Sequence, residues 1–460
     1  MRPIRFLVSL AFLAVTIGLV PAHASAPATA QIKLIPSLGP PTSKVRVSGR
    51  GFEASETVDI SFDTTPVATA MTDPTGAFTA RLRVPPTATP GDHTVTATGE
   101  SSGLTATANF LVRTDWSKFH FDLANSGYNP FENVLGRGNV GSMVKLWSFT
   151  TSLVFSSPAV ANGVVYVTSW DHNVYALNAS TGAELWSFAT GSVVDSSAAV
   201  ANGAVYVGSS DHNVYALNAS TGAELWSFAT GNIVFSSPAV AHGVVYVGSW
   251  DHNVYALNAS TGAELWSFAT GNIVHASPAV ANGVVYVGSN DGNLYALSAI
   301  TGAELWRFHT GGVVGASPAV AHGVVYVGSR DQNVYALNAF TGAELWSFAT
   351  GAVVDSSPAV AHGVVYVGSE DHNVYALSAF TGAELWSFAT GNIVLSSPAV
   401  ANGVVYVGSY DDNVYALNAS TGAELWSFAI GNSVFSSPAV ADGVVYVGSN
   451  DDIVYAFGLP

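Results

Sequence analysis

The sequence contains no cysteine. Disulfides, thiolate metal sites, cysteine nucleophiles and lipid-modified cysteines are therefore all excluded. Charged residues are also scarce, at 10% of the chain against 49% hydrophobic residues. A chain of 460 residues with this composition can bury a large core, and its length predicts more than one domain. The fold must be held by burial and hydrogen bonds alone.

Basic residues are almost missing from the C-terminal two-thirds. Of the 14 lysines and arginines, only Arg307 and Arg330 lie beyond residue 145, whereas 21 of the 31 acidic residues do. Nucleic acid and anionic lipid surfaces both require clustered Lys and Arg. We therefore expect no nucleic-acid partner, while cations, neutral ligands and basic partners stay open.

Long apolar runs are absent beyond the N-terminus. At the N-terminus itself, two arginines precede an apolar run over residues 6–20. Ala22 and Ala24 are the small residues that a signal peptidase requires just before its cleavage site. This pattern predicts a signal peptide over residues 1–24. Its apolar run is shorter than the ~20 residues of a membrane-spanning helix. We expect a secreted protein of bacterial-type export, with no membrane insertion and no lipid anchor.

The dominant feature of the remaining sequence is a 40-residue repeat. The string TGAELW occurs seven times, from Thr181 to Thr421, and a tyrosine marks the same period eight times, from Tyr166 to Tyr446. Each unit has four β-rich runs, for example SSPAV, VVYVTS, NVYALN and ELWSF, separated by turn signals such as Asn162-Gly163. Four short strands in a period of 40 are typical of a β-propeller blade.

Counting strands predicts eight blades over residues 146–460. With the strands of a unit called A to D, Trp147 lies in a D strand that no A, B or C strand precedes, and the last unit stops before its D strand. The strand around Trp147 is therefore predicted to complete the last blade. Such closure removes an exposed sheet edge that would favour aggregation.

The N-terminal part predicts a second all-β domain. After a short linker at 25–30, residues 31–113 alternate Thr, Val and Ala between Gly and Pro. About seven short strands predict an immunoglobulin-like β-sandwich. Residues 114–145 are predicted to be a connecting segment that packs on the propeller, because Trp116, Phe119, Phe121 and Tyr128 would otherwise be exposed.

Each repeat resembles the tryptophan-docking repeat of pyrroloquinoline quinone (PQQ) propellers, A-x-D-x-x-T-G-x-x-x-W, with Asn or Ser in place of Asp. The lead-in DWSKFHFDLANSGYNP resembles the segment that precedes such propellers, so the likeness covers residues 115–460. The resemblance implies that the motif residues join neighbouring blades, with the indoles buried between them. These docking residues are Ala176, Asn178, Thr181, Gly182, Trp147, Trp186, Trp226, Trp266, Trp306, Trp346, Trp386 and Trp426.

Enzymes with this type of propeller share an Asp base, a calcium ion held by Glu, Asn and Asp, basic contacts to the three PQQ carboxylates and often a disulfide. This sequence has no cysteine and two basic residues in the whole propeller. Burying a tricarboxylate without cations is strongly unfavourable. We expect no enzyme activity and no cofactor; the alternative is a dehydrogenase that uses PQQ and calcium. The resemblance extends to the non-enzymatic propellers of outer-membrane assembly factors.

The repeats differ mainly in the D-to-A connection and the B-to-C loop, which an up-and-down blade places at one end of the central channel. Exposed loop positions can simply drift after duplication, and that interpretation stays open. The alternative is a binding face, since aromatic and Arg side chains usually carry binding energy. Its candidate residues are Phe155, Trp170, Phe235, Trp250, His275, Arg330 and Glu370.

No metal site is expected from the histidines of the B-to-C loops. These residues come from different blades, and packed sheets lie ~10 Å apart whereas zinc ligands lie at ~2.0 to 2.1 Å. They are His172, His212, His252 and His372.

The first functional hypothesis is a secreted, non-catalytic binding or scaffold protein, expected to be a monomer, with a glycan, peptide or protein partner. A purely structural surface protein is the other non-enzymatic hypothesis.

Overall fold

The computed structural model describes residues 29–460. The predicted signal peptide at 1–24 lies outside the described residues. Within the described part the regular structure is β, apart from a 3-10 turn at Val140–Ser142. No helix in residues 29–460 is long and apolar enough to cross a membrane. The chain divides into two compact units: one includes Val45–Leu82 and Thr94–Asn109, and the other includes Pro36–Lys44, Arg83–His93 and Phe110–Pro460.

The N-terminal strands form two sheets, ordered β1-β3-β6 and β2-β8-β7-β4-β5. Side chains alternate between buried and exposed along β6 and most of β4, as expected when one sheet face meets a core. The predicted immunoglobulin-like sandwich is confirmed, with eight strands rather than about seven, because β2 is a two-residue strand parallel to β8. The strands are β1 Gln31–Ile35, β2 Leu38–Gly39, β3 Lys44–Arg50, β4 Thr57–Phe62, β5 Thr65–Met71, β6 Phe78–Arg83, β7 Gly91–Gly99 and β8 Thr105–Val112.

Two further strands precede the repeats: β9 at Tyr128–Asn129 and β10 at Val144–Thr150. The repeats then form eight sheets with the strand order A-B-C-D. We number the blades 1 to 8 from the first A strand. The A strands are Ala159–Ala161, Ala199–Ala201, Ala239–Ala241, Ala279–Ala281, Ala319–Ala321, Ala359–Ala361, Ala399–Ala401 and Ala439–Ala441.

The other strands follow the same period. The B strands are Val164–Thr168, Ala204–Gly208, Val244–Gly248, Val284–Gly288, Val324–Gly328, Val364–Gly368, Val404–Gly408 and Val444–Gly448. The C strands are Asn173–Asn178, Asn213–Asn218, Asn253–Asn258, Asn293–Ser298, Asn333–Asn338, Asn373–Ser378, Asn413–Asn418 and Ile453–Gly458. The D strands are Glu184–Ala189, Glu224–Ala229, Glu264–Ala269, Glu304–His309, Glu344–Ala349, Glu384–Ala389 and Glu424–Ala429.

The turns explain why each unit folds as one blade. Asn162 and Gly163 take φ values of 54° and 76°, the paired positive φ that a tight hairpin with right-handed twist requires. In the C-to-D turn, the Asn178 Oδ1 accepts backbone N–H bonds from Ser180 and Thr181, both at 3.0 Å. The turn residues therefore specify the strand register through contacts within one blade.

The docking tryptophans join adjacent blades, as the resemblance implied. The Trp186 Nε1 donates to the carbonyl of Ala219 in blade 2 at 3.0 Å, and the Tyr166 hydroxyl donates to the same carbonyl at 3.2 Å. The indole lies over Gly222, where a Cβ would come within 2.6 Å of the ring. Since Gly222 also has a φ of +71°, glycine is required there on two counts.

Blade 8 is closed by β10, which pairs antiparallel with the last C strand, Ile453–Gly458, so the predicted closing strand is confirmed. In blade 8 the C strand is not joined to its D strand by a docking turn, because the D strand is β10. Trp426 of blade 7 therefore docks differently: its Nε1 donates to the Met143 carbonyl at 3.1 Å, and its ring contacts Phe457 with centroids 5.2 Å apart.

Candidate functional site at the mouth of the channel

A ring of eight serines lines the channel wall. In every blade the serine two residues before the A strand accepts, through its Oγ, the backbone N–H of the matching serine in the preceding blade, at 2.8 to 3.2 Å. The bond from Ser437 to Ser157 closes the ring between blades 8 and 1. The run SSPAV was predicted as a strand, but the strand begins at Ala159 because these serines bond across blades instead.

One end of the channel is closed by the lead-in segment, residues 114–129. It crosses the inner edges of the blades in sequence: the backbone N–H groups of Val200, Val280 and Val320 donate to Ser117, Leu123 and Ala124 at 2.6 to 2.8 Å. Val360 and Val400 donate in the same way to Ser126 and Gly127. The segment packs on the propeller, with Trp116 and Phe119 buried and Phe121 and Tyr128 half-buried.

A buried lysine organises the lead-in segment. The Lys118 Nζ donates to the carbonyls of Phe119 and Asp122, at 2.6 and 3.0 Å, and to the Asn125 Oδ1. Burial lowers the pKa of Lys118 to about 7, although Asp122 raises it, and burial lowers the pKa of the adjacent His120 to about 3. Asn125 in turn donates to the Pro318 carbonyl at 3.1 Å, so the segment is tied to the blades.

Together these elements form a cup, defined here as the cavity of about 260 Å³ at the open end of the channel. Phe119 forms its floor and the serine ring its lower wall. All eight D-to-A positions line it, with Trp170 from the first B-to-C loop. These rim residues are Phe155, Asp195, Phe235, His275, Gly315, Asp355, Leu395 and Phe435.

Aromatic residues occupy one arc of the rim. Phe155 contacts Phe435 and Trp170, with ring centroids 5.3 and 4.9 Å apart. Phe235 contacts Trp250 at 4.9 Å and His275 at 5.9 Å. The rings meet at angles of 44° to 84°, so they form a concave wall rather than one flat platform.

Two carboxylates lie on opposite sides of the rim, in blades 2 and 6, in different settings. Asp195 accepts a hydrogen bond from the indole N–H of Trp170, and burial raises its pKa to about 6. Asp355 forms an ion pair with the Nη2 of Arg330 at 2.9 Å. Burial and the neighbouring Asp355 raise the pKa of Glu370, while Arg330 opposes that shift.

His275 lies on the same rim. The residue is exposed to the cavity, although neighbouring protein surrounds the imidazole within the mouth. Burial therefore lowers its pKa, Asp355 opposes the shift and Arg330 reinforces it. A neutral imidazole is the result near neutral pH.

The structure brings four of the seven predicted site residues to the cup: Phe155, Trp170, Phe235 and His275. It does not bring the other three to the cavity wall. Trp250 contacts Phe235 from behind, Arg330 pairs with Asp355, and Glu370 interacts with the same carboxylate. B-to-C side chains stand farther from the axis than D-to-A side chains, so in the described part of the chain only that of Trp170 reaches the cavity.

Sequence reasoning did not select Asp195, Asp355, Leu395, Phe435 or Phe119 as site residues. The first four occupy the same repeat position as Phe155, so an alignment of the repeats is enough to identify them. Phe119 lies outside the repeat and carried no such signal.

The histidines of the B-to-C loops share one turn conformation. His172, His212, His252 and His372 each take a left-handed φ of 73° to 75° at the same turn position of four different blades. No group of three or more His, Asp or Glu residues suited to a metal ion occurs within residues 29–460.

Comparison with protein families gives matches to three families. Residues 274–459 match the beta-propeller of beta-alanine-activating enzyme, residues 142–238 and 213–313 match the outer membrane protein assembly factor BamB, and residues 28–112 match the macroglobulin-like domain. The comparison with curated proteins gives no match.

Solved structures share the propeller fold. BamB from Moraxella catarrhalis is 19% identical with a TM-score of 0.62, covering 69% of this chain and 100% of that one. A quinohemoprotein alcohol dehydrogenase from Pseudomonas putida is 17% identical with a TM-score of 0.66, covering 75% and 80%. The computationally designed Ika8 protein is 20% identical with a TM-score of 0.62, covering 68% and 98%. The chain is thus a PQQ-like β-propeller preceded by an immunoglobulin-like domain.

The cup does not fit PQQ. Its wall carries two carboxylates, Asp195 and Asp355, and the adjacent cation, Arg330, is already paired with Asp355. A tricarboxylate placed there would meet like charges without a free counter-ion, and like charges at short range disfavour one another by several kcal/mol in a buried site.

Proposed function

We propose that this chain is a secreted, non-catalytic binding protein whose propeller holds a ligand in the cup. One observation carries the proposal: the D-to-A position, which varies from blade to blade in an otherwise similar repeat, converges on one closed-bottomed cavity. A rigid ring of docked blades presents eight rim residues of five types to one volume, which suits recognition of an asymmetric ligand. A glycan or a peptide is the ligand class, and the immunoglobulin-like domain acts as a spacer or adhesion module.

The absence of catalysis belongs to the same proposal. The charge of the rim supports it, since the resemblance to quinoproteins implies a cofactor whose carboxylates the rim would repel. Export is supported by the composition of residues 1–24. A scaffold without a ligand is the competing function, and it predicts that substitutions in the cup change nothing except stability.

The test is a binding screen of the full chain against glycan and peptide panels, with an absorption spectrum of the same sample. The variant is Phe155→Gly with Trp170→Asn, since Gly315 and Asn290 occupy the equivalent positions in other blades. The matched control is Phe340→Ser, which removes an aromatic ring that is 74% exposed, in a C-to-D turn where blade 1 has Ser180.

Binding that the double variant loses and the control keeps would support a site in the cup. A silent screen, or binding unaffected by the double variant, would overturn it in favour of the scaffold. A quinone chromophore, or dye reduction after addition of PQQ and calcium, would overturn the non-catalytic assignment.

A further inference from the structure

The two rim carboxylates differ in how their charge is balanced. Asp355 has a guanidinium partner, Arg330, at 2.9 Å. The hydrogen-bond donor to Asp195 in the described residues is the neutral indole of Trp170. A carboxylate offers about four acceptor positions, and a single neutral donor leaves most of them open to water or a ligand and leaves the charge without a counter-ion. Asp195 is thus an uncompensated negative charge in the cavity wall.

The neighbours of Asp195 are aromatic. Phe155 and Phe235 occupy the same repeat position in the blades on either side, and both line the cup with it. Trp170 connects the carboxylate to the aromatic residues, because its ring contacts Phe155 while its N–H donates a hydrogen bond to Asp195. Aromatic faces attract cations through the ring quadrupole, and tilted rings around a carboxylate give a cation several faces at once.

The surrounding charge favours a positive ligand as well. The propeller has two basic residues against 21 acidic ones, and Arg330 is already paired. Charge of one sign around a cleft focuses the field and raises the local concentration of oppositely charged ligands. Neutral sugars gain nothing from that field.

We propose that the cup binds an organic ammonium ion with a short apolar stem, the charge lying between Asp195 and the rings of Phe155 and Trp170. This inference rests on the proposed binding function. The cavity of about 260 Å³ lies below the ~300 to 1,000 Å³ of drug-sized sites. It therefore takes a single alkylammonium group, either a free amine or the lysine side chain of a peptide, with the stem toward Leu395 and the serine ring.

The experiment is titration calorimetry of the full chain with n-butylammonium, choline and an end-capped lysine peptide. 1-Butanol and the same peptide with an acetylated lysine are the neutral matches, and the glycan panel is run beside them. The charge variants are Asp195→Asn and Asp195→Leu, since Leu395 shows that the repeat accepts leucine there. The control is Asp412→Asn, which removes the same charge from a B-to-C turn that does not line the cup.

We expect the ammonium probes to bind, the neutral matches to bind at least about tenfold more weakly, and both Asp195 variants to lose at least about tenfold in affinity. The control should retain binding. Tighter binding of the lysine peptide would identify the lysine side chain of a partner as the source of the ammonium group. Tighter binding of the small amines would identify a free amine as that source.

Equal binding of neutral matches, or Asp195 variants that bind as the parent does, would overturn the cation proposal. If a glycan binds and only the Phe155 and Trp170 variant abolishes it, the proposed function stands without the cation. If no probe and no panel member binds to the folded parent, both proposals fail.

Discussion

The two ends of the propeller channel are built from the same repeat and behave in opposite ways. At the closed end, the lead-in segment takes hydrogen bonds from the backbone of one A strand after another, so the blades must present the same geometry. At the mouth, the D-to-A side chains face a cavity rather than a neighbouring blade. The residue at this repeat position is Phe, Asp, His, Gly or Leu, depending on the blade. The repeat is uniform where blades contact protein and varied where they contact solvent.

The largest expected effect tests the uniform part of the repeat. Trp386→Ala removes a buried indole and its bond to the Ala419 carbonyl at 3.0 Å. It should lower the free energy of unfolding by about 3 to 5 kcal/mol, as large-to-small changes in cores do. Trp170→Ala, at a mouth position that is 38% exposed, should cost clearly less. Urea unfolding followed by tryptophan fluorescence and circular dichroism measures both, and equal losses would contradict the contrast between the two ends.

The next effect tests how the closed end is held. Asn125→Ala removes the amide that links Lys118 to the Pro318 carbonyl and leaves a buried ammonium with fewer acceptors. We expect a loss of about 2 to 4 kcal/mol, since an unsatisfied buried charge is costly. Asn432→Ala, at an exposed position near the mouth, is the control and should stay within about 1 kcal/mol. Thermal unfolding of the two variants, measured side by side, compares their losses of stability. A smaller loss for Asn125→Ala than for Asn432→Ala would contradict this expectation.

A smaller effect concerns the pH dependence of the mouth. Burial raises the pKa of Asp195 from 3.8 to about 6, so between these values the folded state binds more protons than the unfolded state. This carboxyl therefore lowers stability as the pH rises from about 4 to 6. The stability of Asp195→Leu relative to the parent should increase across that window and level off above it. The other titratable and charged groups at the mouth, Asp355, His275, Glu370 and Arg330, are unchanged in the variant.

Melting temperatures at pH 4, 5, 6 and 7 provide the measurement. Asp412→Asn, which lies outside the cup, should run parallel to the parent over the same range. A flat difference between Asp195→Leu and the parent would mean that Asp195 titrates as an ordinary surface carboxyl.

The smallest expected effect lies at a turn outside both ends of the channel. Phe340→Ser places in blade 5 the residue that blade 1 has at Ser180, and the phenyl ring is 74% exposed. The free energy of unfolding should change by no more than about 0.5 kcal/mol. A larger loss in urea unfolding would contradict the assignment of this ring as an exposed side chain that contributes little to stability.

Much of the fold followed from local pattern. Asn162-Gly163 predicted the A-to-B hairpin, the spacing of TGAELW predicted the blade, and the unpaired strand around Trp147 predicted closure by pairing with the last C strand. These features depend on neighbours in sequence or on a strand that must be paired. The different docking of Trp426 did not follow, because it depends on the missing turn of blade 8 and on Met143.

The candidate site was predictable in position and only partly in membership. Phe155, Phe235 and His275 were selected for their chemistry, whereas Asp195 and Asp355 at the same register were not. Trp250 and Arg330 were selected but stand behind the wall. Distance from the channel axis decides which loop lines the cavity, and a linear pattern carries no measure of that distance.

The sequence by itself determined the strands, the turns and the repeat, because these rest on backbone conformation and on contacts within 40 residues. Tertiary structure alone decided that residues 114–129 close one end, that Asp355 is neutralised by Arg330, and that Asp195 is left facing the cavity among aromatic rings. Those outcomes depend on burial and charge pairing across the ring, which arise only when the blades close and bring distant side chains within reach of each other.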